Sequence, residues 1–197
     1  MFAALLAFSL SLGAHKSPRT CGPAPFAECE TSRELVTSKE FPPALKRLVG
    51  GAEAAFSQRK RPIYKEVIER LKVSGGPAQD IGHGARLFGG CRQNACPEKA
   101  AVIVDRTGVV AIGVVDYRSD FNPNLEVMVA RAGPLANDQA AALKVWADKE
   151  VASDAEVLHA PIALQGVHVR SLRDEPFVAE EKPCSRLAAL IHRCPQG

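Results

Sequence analysis

With 197 residues, 46% of them hydrophobic and 24% charged, the chain is not too polar to collapse, and it has the length of one ordinary domain. Fifteen glycines and 14 prolines stay near ordinary usage, which excludes collagen-like and low-complexity architectures. Lys plus Arg 25 against Asp plus Glu 22 gives +3, too mild for the dense basic stripe of a nucleic-acid module, so no nucleic-acid partner is expected.

Met1 to Ala14 is apolar and uncharged. It is shorter than the roughly 20 apolar residues of a bilayer span, so no integral membrane span is expected. It fits the apolar core of a signal peptide, with Gly13-Ala14 as the small-residue end. A buried first helix is the competing reading. Residues 1–14 are therefore predicted to be a targeting segment and the protein to be periplasmic or secreted. Residues 15–39, rich in Pro, Ser and charge, read as an irregular N-terminal arm anchored by Cys21 and Cys29. An α+β core is predicted over 40–154, and a C-terminal strand with a Cys-containing tail over 155–197.

From Phe41 the pattern is helical: Leu45, Leu48 and Val49 share a face and Gly50-Gly51 ends it. A second helix is predicted from Pro62, a residue suited to a first helical position, with Ile63, Val67, Ile68 and Leu71 inward. Glu66 and Arg70 form an i,i+4 pair on it, and Gly75-Gly76 stops the run. The preceding Arg59-Lys60-Arg61 reads as a solvated helix start.

The centre reads as β. Ala85 to Gly90 leads into Cys91, and the apolar run Ala100 to Val104 is followed by Asp105-Arg106-Thr107-Gly108 and Val109 to Val115, a strong hairpin signal. Leu125, Val127 and Val129 alternate with Glu126, Met128 and Ala130, predicting a strand with one wetter face. Asn137 is placed to cap a helix from Asp138 to about Lys149, with Leu143, Trp146 and Ala147 inward. Ile162, Leu164, Val167 and Val169 predict another strand, interrupted at Gln165-Gly166, and Ser185 to about His192 a short helix. This order implies α+β, with a small antiparallel sheet backed by helices.

Six cysteines, Cys21, Cys29, Cys91, Cys96, Cys184 and Cys194, fall two by two at intervals of 8, 5 and 10. An even count in an exported chain points to disulfides. Zinc wants shorter spacings with a second pair, and no His-x₃₋₅-His pair is present, so no metal is expected. The sequence has no Gly-x-Ser-x-Gly elbow, no Walker loop, no His-Glu-x-x-His and no Cys-x-x-Cys. A nucleophilic Cys91 would need a base such as His83, and nothing in the sequence brings the two together. The expectation is a non-enzyme without a cofactor. His168 reads as a packed or surface residue.

The segment Cys91-Arg92-Gln93-Asn94-Ala95-Cys96 lies between two predicted strands. A disulfide across so short a loop adds only about 2 kcal/mol by chain entropy. Rigidity is the better motive, since a polar loop held in one conformation loses little entropy on entering another protein's cleft. A plain structural staple is the alternative.

Taken together, Arg86-Leu-Phe-Gly-Gly-Cys91-Arg-Gln-Asn-Ala-Cys96, then Ala101-Val-Ile-Val and Val109-Val-Ala-Ile-Gly-Val-Val, resembles the Ivy family, periplasmic inhibitors of vertebrate c-type lysozyme. The resemblance covers roughly residues 40–117. It implies export, a small α+β fold and a protruding loop, closed by a Cys91–Cys96 bridge, that plugs a muramidase active site. The family loop reads Cys-Lys-Pro-His-Asp-Cys. Against it Arg92 keeps the Lys charge, Gln93 replaces Pro, Asn94 replaces the His that reaches the catalytic carboxylates, and Ala95 replaces Asp. Arg92, Gln93, Asn94 and Ala95 are thus the expected partner-binding residues, with Arg92 facing the partner's carboxylates. The expected partner is a lysozyme-type glycosidase or another envelope protein, and a homodimer stays open. With Cys91–Cys96 assigned in this way, Cys21, Cys29, Cys184 and Cys194 have three possible pairings, local pairs being the ones that close more readily.

Overall fold

The apolar runs of the centre form one broad sheet. The computed structural model describes residues 21, 26, 28–56, 60–119, 122–131 and 133–172. The expected targeting segment 1–14, Cys184, Cys194 and the expected helix over 185–192 lie outside the described residues. The elements, in chain order, are α1 (Ser32–Thr37), α2 (Phe41–Val49), β1 (Glu53–Ala54), β2 (Arg61–Pro62), α3 (Ile63–Arg70), β3 (Val73–Ser74), β4 (Gln79–Asp80), β5 (Arg86–Arg92), β6 (Ala95–Asp105), β7 (Gly108–Ser119), β8 (Asn122–Val129), α4 (Pro134–Leu158) and β9 (Gly166–Ser171).

The fold is α+β. Strands β1 and β2 pair by themselves, and seven strands form the main sheet in the order β3-β5-β6-β7-β8-β9, with β4 also on β5. The sheet is mixed rather than purely antiparallel, because β9 lies parallel to β8, Leu125 opposite Val167 and Val127 opposite Val169. A parallel neighbour needs a long crossover, and α4 supplies it. The central hairpin turns where the sequence places it. The Asp105 carboxylate accepts from the Thr107 amide at 2.6 Å, and Gly108 takes φ 119°.

Both faces of the sheet are covered, which explains why the run Ala100 to Val104 is continuous rather than alternating. Phe88, Val102, Ile112, Val114 and Met128 pack against α1, α2 and α3. Leu87, Ala101, Ile103, Val115, Leu125 and Val127 pack against α4 through Leu143, Trp146, Ala147 and Val151. The wetter face expected for β8 is therefore absent: Glu126 is 1% exposed and Met128 fully buried beneath the first helical layer. Close approach of α4 depends on two glycines. A Cβ at Gly89 would overlap the Trp146 indole, and one at Gly113 would crowd Leu143.

Four boundaries differ from expectation, each for a local reason. The arm over 15–39 is not irregular throughout, since Thr31 accepts from the Glu34 amide and caps α1. Cys21, Phe26 and Cys29 are buried in the first-face core. Helix α3 has Pro62 as its N-cap and ends at Leu71, well before Gly75-Gly76, because Val73 and Ser74 are taken up by β5, opposite Cys91 and Gly90. Helix α4 starts at Pro134 after Gly133, not at an Asn137 cap. It continues past Lys149, and past the expected core boundary at 154, to a left-handed His159 at φ 48°. The expected strand through Ile162 and Leu164 starts only at Gly166, just after the Gln165 amide donates to the Pro123 carbonyl at 2.9 Å.

Candidate functional site: the disulfide-closed hairpin and its base

Strands β5 and β6 run antiparallel from Arg86 opposite Val104 to Cys91 opposite Lys99, and then the register jumps so that Arg92 pairs with Ala95. The jump shapes both the turn and the strand beyond it. Gln93 and Asn94 alone make the turn, with Asn94 in the left-handed region at φ 62°, which asparagine tolerates. Cys96, Pro97 and Glu98 form a bulge on β6, a place where a proline, having no N–H to give to the ladder, is acceptable. The bulge brings Cys96 onto Cys91. The two are disulfide-bonded with Cα atoms 4.8 Å apart. Cys21 and Cys29 form a second, local bridge, also with Cα atoms 4.8 Å apart.

The expected binding residues separate into two kinds. Gln93 and Asn94 are exposed at the tip. Ala95 is buried, and the Arg92 side chain is only 13% exposed because it turns down into the protein. Its guanidinium meets the Glu66 carboxylate at 2.6 Å and the Glu98 carboxylate at 2.5 Å. The expectation that Arg92 points outward to a partner's carboxylates is thus corrected: the fold already supplies its carboxylates.

Around Arg92 stands a charge network on the α1–α3 face. Glu66, fully buried on α3, also receives Arg61 at 3.0 Å and lies 3.7 Å from Arg70. Arg70, itself 1% exposed, approaches Glu98 at 3.6 Å and donates to the carbonyls of Phe56 at 2.9 Å and Val115 at 3.2 Å. The i,i+4 Glu66–Arg70 pair expected on this helix is interior, with both side chains almost fully buried. Its spacing is visible in the sequence, but Arg92 and Glu98 come from distant strands, and no local pattern announces them.

A second network lies on the α4 face. Lys99, directly across from Cys91, is 5% exposed and places Nζ 3.2 Å from Glu150 and 3.1 Å from Asp154. The Tyr117 hydroxyl donates to the other Asp154 oxygen at 2.8 Å. Burial, reinforced by the adjacent Asp154 charge, pushes the Tyr117 phenol far above its ordinary range. Burial also raises Asp154, against the opposing pull of Lys99 and the Tyr117 hydrogen bond. Glu98 and Lys99 are neighbours in sequence that point to opposite faces, so the hairpin base is tied to α3 on one side and α4 on the other.

Elsewhere, His168 faces the buried Glu126 at 2.9 Å across the parallel β8–β9 pair. A cleft of about 440 Å³ lies between α2 and the Thr107-Gly108 turn, at the opposite end of β6 from the hairpin. Its lining includes Arg47, Leu48, Val109 and Leu172, with no acid or histidine. Cys91, being in a disulfide, offers no thiolate to act as a nucleophile. Among the described residues, no three His, Cys, Asp or Glu side chains gather as a metal site, and no helix is long and apolar enough to cross a membrane. No protein-family model, curated protein or solved structure matches the chain.

Proposed function

We propose that the chain is an exported protein that uses the tip of the Cys91–Cys96 hairpin to bind, and thereby inhibit, a lysozyme-type muramidase, as the likeness of residues 40–117 to the Ivy family implies. The observation that carries this reading is the presentation of Gln93 and Asn94. They form a two-residue polar turn, closed by a disulfide and fixed from below on both faces of the sheet. A tip held in this way loses little conformational entropy on entering a cleft. Gln93 and Asn94 offer amide donors suited to the paired carboxylates of a glycosidase.

A second reading, a non-inhibitory envelope protein of the same fold, is favoured by the inward turn of Arg92. With that guanidinium held by Glu66 and Glu98 and with asparagine in place of the family histidine, the tip itself carries no cation. Turnover assays on c-type, g-type and bacterial muramidases with the purified, oxidised protein separate the two. Dose-dependent inhibition of any class is the expected outcome. No inhibition of all three, with the fold intact, overturns the inhibitory reading in favour of the second. Export is tested by the intact mass of protein from its native host, with loss of residues 1–14 expected and retention of Met1 contradicting it.

A further inference from the structure

The two bridges differ in what a reductant can reach. Cys21 and Cys29 are 6% and 0% exposed and sit in the first-face core among Phe26, Leu35 and Phe41. In the second bridge Cys91 is 7% exposed, but Cys96 stands out on the β6 bulge as an exposed residue. Thiol–disulfide exchange requires a thiolate to reach one of the two sulfurs, so access selects both the bridge and the sulfur attacked.

The surroundings of that bridge decide how far its opening spreads. Ion pairs hold residues on both sides of the bridge: Arg92, inside the closed loop, to Glu66 and Glu98, and Lys99, across from Cys91, to Glu150 and Asp154. Neither network uses a cysteine. The bridge therefore constrains Gln93 and Asn94, while the ion networks constrain Arg92 and the base.

We propose that Cys91–Cys96 is a redox latch on the hairpin tip, opened by a dithiol reductant without unfolding the sheet. A reductant thiolate attacks Cys96 Sγ, forming a mixed disulfide and breaking the Cys91–Cys96 bond. The electron pair leaves on Cys91 Sγ, which then takes a proton. The reductant's second thiol attacks the mixed disulfide and releases Cys96 as a thiol. In sum the protein gains two electrons and two protons, and the dithiol becomes a disulfide. The opened tip samples many conformations, so it loses the preorganisation on which binding depends. This last consequence, control of binding, rests on the proposed role of the tip; the order of reduction does not.

The test is timed reduction of the oxidised full chain with dithiothreitol, alkylation of the freed thiols and peptide mapping, which reports Cys184 and Cys194 separately. Cys91 and Cys96 are expected to be freed at least tenfold faster than Cys21 and Cys29. Amide hydrogen exchange of the partly reduced protein should accelerate at Gln93 and Asn94 and stay unchanged over residues 100–105 of β6 and across β7. Equal rates, earlier opening of Cys21–Cys29, or loss of protection across the sheet would overturn the latch. If the oxidised protein inhibits a muramidase, partial reduction should weaken inhibition at least tenfold and reoxidation should restore it; unchanged inhibition overturns the regulatory role. If the oxidised protein inhibits none, the proposed function fails while the reduction order still decides the latch.

Discussion

The hairpin base meets α3 on one side and α4 on the other, and the two contacts are built from different chemistry. On the α3 side, arginines converge on Glu66 and Glu98, and Arg70 also bonds the carbonyls of Phe56 and Val115. Guanidinium stays charged at every relevant pH and holds carboxylates through a rigid fork. On the α4 side a lysine, a tyrosine and two acids make the contact, and both Asp154 and Tyr117 are displaced from their ordinary titration ranges. One side is a network of guanidinium and carboxylate groups, and the other is a cluster in which burial displaces a phenol and a carboxyl. Adjacent residues of one strand, Glu98 and Lys99, thus serve two supports of different chemistry.

The largest effect should come from Glu66→Gln. It leaves the interior Arg70 beside Arg92 with half the original counter-charge, and breaking a buried pair on one side costs about 3–5 kcal/mol. Thermal and denaturant unfolding measure it, and a loss below about 1 kcal/mol would show that the α3 network is peripheral. Arg92→Met should cost about 2–3 kcal/mol through its lost charge-assisted bonds to Glu66 and Glu98. Its stability deficit should exceed that of any substitution at Gln93, which contradicts an outward-facing role if found.

Lys99→Met should cost about 2 kcal/mol at neutral pH, because Glu150 and Asp154 then face each other without a cation. That deficit should shrink as pH falls and the raised Asp154 takes up its proton. A Lys99→Met deficit that stays constant from neutral to acid pH would contradict a proton-sensitive Asp154 in this support. The smallest effect is that of Tyr117→Phe, about 1 kcal/mol for one hydrogen bond. Tyr117 keeps its proton in the folded state above its ordinary value of about 10, so its contribution is complete below that pH and lost as pH climbs beyond it. Wild type should lose stability more steeply than Tyr117→Phe in alkaline denaturation series.

Much of the fold is legible in local pattern because it is set locally. The turn at Asp105 to Gly108, the inward set Leu143, Trp146 and Ala147, and the end of α2 at Gly50 each depend on a few adjacent residues. The parallel placement of β9 does not, since it depends on α4 lying across the sheet. The buried state of Glu126 also escapes alternation, because a polar residue facing a covered layer spells the same pattern as one facing water. At the site, the closing cysteines and the polar tip are visible in the sequence. The inward turn of Arg92 is not, because its acids come 26 residues earlier and from the far side of a bulge.

The proposed binding through the tip is tested most directly by the affinity of oxidised wild type and of the double variant Gln93→Ser with Asn94→Gly for each muramidase that the turnover assays show to be inhibited. Glycine keeps the left-handed turn at position 94, so the fold and the disulfide should survive. The predicted result is at least a tenfold rise in Kd, about 1.4 kcal/mol, with unchanged unfolding behaviour. Affinity equal to wild type would contradict a binding role for the tip.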